Sequence, residues 1–379
     1  MKVPLLDLTE QNQSLRPQIE AAIGRVLDTN AFILGGEVAA LEKELAEYCG
    51  TKYAIGCASG SDALILALMA LDVAAGDEVI TTPYSFFASV SCITRLGATP
   101  VFVDIDPKTY NLDVGRIEAK ITGRTKAILP VHLYGQCADM KALSEISREH
   151  RIPLVEDAAQ AIGAEENNVR AGAMSRIGCF SFYPSKNLGG MGDGGFISTD
   201  DDALAQKLFA LRVHGAEERY YHKWIGLNSR LDGFQGAVLR VKLPHLDSWS
   251  NRRKANADKY RELFTDAGLS EHVQLPFERE NVRHIYNQFV IRVPDRRDEL
   301  KRYLAENDVG TDIYYPISLH LQECFAYLGY TENDFPESEK ASRETLAMPI
   351  FPELKREQQE YVVEKIKEFY RQVRQKPAR

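Results

Sequence analysis

The chain predicts an α/β fold on a mostly parallel sheet, followed by a smaller α+β part, and three observations carry this. From about residue 50 to 200, short apolar runs alternate with helical patterns. The runs are apolar on both faces, as strands are when helices cover both sides of a parallel sheet. Beyond about residue 245 the texture changes to long amphipathic helices around one strand-like run.

In order along the chain, the predicted strands are DEVITT (77–82), TPVFVDI (99–105), KAILPV (126–131) and IPLVED (152–157). Helices are predicted between them at 61–73, 86–97 and 138–150, where apolar residues recur at helical spacing. Two further short strands follow, CFSFY (179–183) and GFISTD (195–200), and then a helix at 202–213. SWSNRRKANADKYRELFTDAG reads as a long amphipathic helix. A strand at QFVIRV (288–293) and helices at 296–307 and 355–374 complete the set. With 379 residues the chain exceeds one small core. It divides into a large domain over 1–245, whose N-terminal segment is allowed to pack with the small domain, and a small domain over 246–379.

The net charge of −8 argues against a nucleic-acid surface, which needs a clustered basic face. The 6 cysteines form no CxxC pair and no His/Cys cluster, so reduced thiols and no metal site are expected. MKVPLLDLTEQ lacks a signal-peptide profile and no run is long enough to span a membrane. A cytoplasmic protein is expected.

GMGDGG (190–195) matches the glycine spacing of a dinucleotide-binding loop. Such a loop must open a helix, so that pyrophosphate meets the helix N-terminus. Here FISTD, a strand pattern, follows instead. The nicotinamide reading therefore lacks its context, and the glycines read as a turn.

A stronger pairing lies on either side of it. Asp157 ends a predicted strand, where ligands of parallel α/β sheets bind, and alternation puts Glu156 on the opposite face. Lys186 follows another strand 29 residues later. Taken singly, Asp157 could be a helix N-cap and Lys186 a solvated surface residue. Together they meet two needs of a pyridoxal 5'-phosphate site: an amine to bond the cofactor and a carboxylate against its ring nitrogen. Gly60-Ser61-Asp62, opening a predicted helix, offers an anion-binding N-terminus, with plain capping by Ser61 as the alternative.

EDAAQAIGA, SFYPSKNLGGMGDGG, CASGSDALILAL, GLNSRLD and TDIYYPISLHLQ make the chain resemble the DegT/DnrJ/EryC1/StrS family of sugar aminotransferases. The motifs run in order from DLTEQN to MPIFPEL, over essentially the whole chain. The resemblance implies fold type I of the pyridoxal phosphate enzymes, the aspartate-aminotransferase-like fold, and a homodimer with shared active sites. It implies Lys186 as the amine that bonds the cofactor and then shuttles a proton, and Asp157 as the partner of the ring nitrogen. Gln160 would cover the ring or its hydroxyl edge, and Phe86 would stack on it unless it is a core aromatic as Phe87 is expected to be. Gly60, Ser61 and Ser181 would bind the phosphate, with Asn228 reaching in from the neighbouring subunit. The glycines near Lys186 would make room for cofactor and substrate.

The family's reaction moves an amino group from L-glutamate to a keto group on a nucleotide-linked hexose, through the pyridoxamine 5'-phosphate form. Members acting at C4 more often read SFHxxK, GYNYR and TGEGG. Here SFYPSK, GLNSRLD and GDGG stand in those places, with HGAEERYYH upstream. This set resembles enzymes aminating a 3-keto sugar, linked to UDP or dTDP. Tyr183, Arg230, Tyr314 and Tyr315 are the implied substrate contacts, with weaker claims for His320 and Arg219. Arg230 could hold a carboxylate or a diphosphate, or form a structural ion pair with Asp232. A 4-keto-6-deoxy sugar aminotransferase and a non-catalytic cofactor-binding regulator are the rival readings.

Overall fold

The computed structural model describes residues 1–375, so the last four residues of the second predicted domain, 376–379, lie outside the described residues. Its central strands are β1 (Tyr53–Cys57), β2 (Glu78–Thr81), β3 (Thr99–Phe102), β4 (Thr125–Leu129), β5 (Val155–Asp157), β6 (Ile177–Ser181) and β7 (Gly195–Thr199). Pairing gives the orders β1-β7-β6-β5 and β4-β2-β3. Parallel bridges Ile128↔Leu154 and Val131↔Asp157 join the two groups edge to edge. β7 runs against both of its neighbours, Tyr53 facing Thr199 and Gly178 facing Ser198. The remaining pairs are parallel. Between β6 and β7 there is no helix to return the chain to the other end of the sheet, so the antiparallel arrangement follows.

Helices on both faces bury the sheet. They are α1 (Thr9–Thr29), α2 (Gly36–Cys49), α3 (Gly60–Ala70), α4 (Ala88–Arg95), α5 (Met140–His150), α6 (Asp202–Leu211) and α7 (Gly233–Lys242). The sequence GSDALILALMA of α3 is apolar almost all round, and Ala63 through Leu68 are buried, as expected of a helix enclosed on every side. No expectation covered α1, α2 or α7; α7 packs against both α1 and α2, and α2 lies against β1.

After α8 (Leu246–Asp266) come β8 (Phe289–Arg292), α9 (Arg297–Glu306), α10 (Pro336–Glu344), β9 (Thr345–Met348) and α11 (Arg356–Gln375). β8 and β9 pair antiparallel, and Tyr260, Phe289, Leu300, Leu346 and Ile366 share a core with them. Val3 lies in that same core and bridges to Val309, so the N-terminal strand segment sits with the C-terminal elements. α8 serves both halves: Leu246 packs with Leu41 and Phe180, while Tyr260 and Phe264 lie in the C-terminal core. No helix of the described residues is long and apolar enough to cross a membrane.

The carboxyl ends of β5 and β6 and the segments after β1, β2 and β4 carry Asp157, Ser181, Gly60, Phe86 and Tyr134. One edge of the sheet thus gathers nearly every residue discussed below.

Candidate active site

Alternation along β5 separates its two acids. Glu156 is buried and committed: it accepts from Gly172 N (2.7 Å) and Met174 N (3.1 Å) and pairs with His132 Nε2 (2.9 Å). Asp157 faces the other way, accepting from Ser89 Oγ (2.6 Å) and Ala159 N (3.2 Å). Only turns follow Asp157 as far as residue 164, so the helix that an N-cap role requires is absent. Burial pushes the Asp157 carboxyl above the ordinary carboxylate range, against the opposing pull of Ser89, the Ala159 amide and the Lys186 charge. A cationic partner would therefore find an acid whose charge the protein leaves undercompensated.

Lys186 lies in the loop between β6 and β7 and is partly buried, not solvated as an isolated surface lysine would be. Among the described residues its ammonium has no hydrogen-bond or ion-pair partner. Burial draws its pKa down to about 8, with Asp157 pulling the other way. A neutral amine, the nucleophilic form, is thus accessible near physiological pH. The next residue anchors the loop, since Asn187 donates to Ile285 O (3.1 Å) and accepts from Asn287 Nδ2 (2.9 Å).

Several glycines of this loop lie where the protein's own packing leaves no room for a side chain. A Cβ on Gly189 would meet Pro184 O at 2.2 Å, and one on Gly195 would meet Phe180 O at 2.6 Å. Gly192 alone of them lines the open cleft described next.

At the N-terminus of α3 the cap is Ser59, whose Oγ accepts from Asp62 N (3.1 Å), so Ser61 is not the cap. Ser61 instead lines a cleft of about 890 Å³ with Ser59, Asp193, Asn228, Arg230 and Gln235. Gly60 abuts Ser181, where an added Cβ would lie 2.6 Å from Ser181 Cβ. Amides of a helix N-terminus beside serine hydroxyls form an anion-binding cradle. Asn228, implied to reach in from a neighbour, lines this cleft in its own chain. Arg230 and Asp232 both line the cleft, and among the described residues they form no ion pair with each other.

Aromatic residues close the other side. Phe86 is 56% exposed, its ring centroid 6.1 Å from that of Tyr315. Gln160 accepts from Tyr134 N (2.8 Å) and donates to Tyr315 Oη (3.1 Å). Tyr84 Oη donates to Tyr314 O (2.7 Å) and accepts from Tyr315 N (3.2 Å), pinning this C-terminal segment to the sheet edge. Tyr183 is exposed, and burial pushes the Tyr314 hydroxyl up. Phe87 departs from expectation: it is 42% exposed and stacks on Phe325 (5.3 Å) instead of entering the core.

His320 is corrected outright. It is 1% exposed, pairs with Glu339 (3.3 Å) and sits edge-on to Phe335 (4.7 Å). A ring enclosed by Phe102, Phe335 and Glu339 is a core histidine and cannot contact substrate. Arg219 lies on an exposed segment, over the Tyr220 ring (5.0 Å).

Sequence reasoning missed Ser89, Tyr134, Tyr84 and Gln235. Ser89 had a readable signal, for it stands three residues after Phe86 in a segment predicted helical and so shares its face. Tyr84, Tyr134 and Gln235 reach the site only through long-range folding, and no local signal marks them.

These residues fit pyridoxal 5'-phosphate by donor chemistry: an amine with its pKa lowered by burial, a buried acid, an exposed ring and an anion cradle share one sheet edge. A family model described as the DegT/DnrJ/EryC1/StrS aminotransferase family matches residues 13–367. A pleiotropic regulatory protein of Geobacillus stearothermophilus is 51% identical over 371 residues, 98% of this chain and 99% of its own. The UDP-N-acetyl-3-dehydro-α-D-glucosamine 3-aminotransferase of Acidithiobacillus ferrooxidans is 44% identical, over 94% of this chain and 95% of its own. The crystal structure of S. venezuelae DesV in complex with a ketimine intermediate superposes with a TM-score of 0.94, at 43% identity, covering 97% of this chain and 98% of that one. Aminotransferases of this family use pyridoxal 5'-phosphate. The sheet, the site and the match over nearly its whole length agree: the chain belongs to the DegT/DnrJ/EryC1/StrS aminotransferase family.

Proposed function

We propose that the protein moves an amino group from L-glutamate to the C3 keto group of a UDP- or dTDP-linked hexose. The observation that carries the reaction class is Lys186, an amine without a partner among the described residues and with its pKa drawn to about 8, set near the buried Asp157. The C3 assignment draws on the Acidithiobacillus relative, whose name specifies a 3-dehydro sugar, and on Tyr183 in SFYPSK.

When bound, pyridoxal 5'-phosphate supplies a ring that accepts the electrons released as a Cα–H bond breaks. Asp157 would face the ring nitrogen and hold a proton there, and the Ser89 hydrogen bond favours its charged form against burial. Gly60, Ser61 and Ser181 would hold the phosphate, Phe86 would cover the ring and Gln160 would meet its edge. With the cofactor held there, the Lys186 amine would accept a proton from one carbon and deliver it to another. Tyr183, Arg230, Tyr314 and Tyr315 orient sugar, diphosphate or glutamate carboxylate.

Two copies of the chain complete the site in this reading, with Asn228 of one meeting the phosphate held by the other. The cleft is bordered by Ile33 (47% exposed) and Asn228, and Ile225 (92% exposed) is three residues from Asn228. A cytoplasmic setting suits the free cysteines, most of them buried. The Geobacillus relative's name favours a regulatory reading. The complete set of amine, acid and anion cradle weighs for turnover instead.

The test is a panel of UDP- and dTDP-linked 3-keto and 4-keto hexoses, incubated with the purified protein, cofactor and L-glutamate and read by mass. An amino sugar from a 3-keto substrate is expected. Amination of 4-keto-6-deoxy sugars alone would overturn the C3 assignment, and no amination of any would favour the regulatory reading.

A further inference from the structure

The loop that carries Lys186 is held from below by α7. Lys242, at the end of that helix, is 3% exposed and donates from Nζ to Gly189 O at 2.9 Å. Among the described residues no carboxylate pairs with it. Two turns earlier Gln235 accepts from Met191 N at 2.8 Å. Seven residues apart, Gln235 and Lys242 share one face of α7 and grip the loop at two points. The rest of the helix is fixed: Gly236 lies against Val38, where a Cβ would come within 3.1 Å, and Val238 packs with Leu15, Ile19 and Trp249.

A buried ammonium with three donors and one neutral partner is a costly way to fill space. An apolar side chain would serve if packing were its only duty. What the ammonium adds is a charge-assisted hydrogen bond, which fixes the direction of one carbonyl three residues from Lys186. Burial pulls Lys242 down to about 8.

We propose that Lys242 is a positioning residue: by holding the Gly189 carbonyl, it keeps the Lys186 loop in the pose that shields the reactive amine. This rests on the reading of Lys186 as that amine. Without the tether the loop relaxes and Lys186 gains water.

The test titrates Lys186 in cofactor-free protein by reductive methylation across pH, with the Lys186 peptide quantified by mass and melting followed in parallel. Wild type should show a labelling midpoint near 8, as burial of Lys186 implies. Lys242→Met should move it up by about one pH unit, about tenfold less neutral amine at pH 7, with thermal stability equal or higher. Lys242→Gln, which keeps an N–H donor for Gly189 O, should stay near the wild-type midpoint. A Met variant that titrates as wild type overturns the proposal, as does failure of both variants to fold, since Lys242 is then structural. If only the Met variant fails to fold, the Gln variant decides: a wild-type midpoint supports the tether and a raised one overturns it. An ordinary lysine midpoint in wild type would instead sink the reading of Lys186.

Discussion

Replacing Lys186 by methionine keeps its length and removes its charge, and the structure sets what this should do to the cofactor-free protein. Burial lowers the Lys186 pKa from 10.5 to about 8. At about 1.4 kcal/mol per tenfold, that fall corresponds to about 3 kcal/mol of cost to folding when the group is charged. Lys186 keeps some exposure, so solvent screening reduces the expected cost to about 1–2 kcal/mol. The sign follows from proton counting. Between pH 8 and 10.5 the unfolded chain holds a proton on Lys186 that the folded chain has lost, so stability rises with pH across this window. Below pH 8 the cost is carried in full. Urea denaturation of cofactor-free protein should therefore find Lys186→Met more stable at pH 7 by about 1–2 kcal/mol. The gap should shrink as pH approaches 10.5. A variant no more stable at pH 7, or a gap independent of pH, would refute the description of Lys186 as a desolvated amine.

Asp157→Asn removes the carboxylate but leaves an acceptor for Ser89, so the fold should persist while kcat falls by about 100-fold or more; circular dichroism beside steady-state rates checks both. Ser89→Ala deletes a 2.6 Å hydrogen bond to the charged form of Asp157. The Asp157 pKa should rise further, moving the acid limb of kcat/KM to higher pH; an unmoved limb would count against it. His320→Leu leaves Glu339 with one fewer buried partner and should cost about 1–3 kcal/mol in stability, with KM for the sugar unchanged.

Much of the sheet edge was legible because its signals are local. Two-residue alternation in IPLVED separates Asp157 from Glu156, and the strand pattern after GMGDGG removes the dinucleotide reading. What stayed hidden depends on distant partners. His320 sits in a polar stretch, and only the approach of Phe102 and Phe335 makes it a core residue. Phe87 reads as apolar but stays 42% exposed while stacking on the buried Phe325, a partner more than two hundred residues on. The helix cap fell at Ser59 and not at Ser61 because backbone dihedrals place it, and Ser59 is the extended residue, at φ −164°. Ser89 stands three residues after Phe86, at the start of α4, yet its bond to Asp157 spans 68 positions. Gln235 and Lys242 lie on a helix that no local feature connects to the Lys186 loop.

The most direct test of the central claim follows the nitrogen. Protein loaded with pyridoxal 5'-phosphate is incubated with ¹⁵N-labelled L-glutamate and a UDP- or dTDP-linked 3-keto hexose, beside Lys186→Ala treated alike. The label should appear in an amino sugar with wild type and not with the variant. An unlabelled sugar with wild type, or equal labelling by Lys186→Ala, would contradict amino transfer through Lys186.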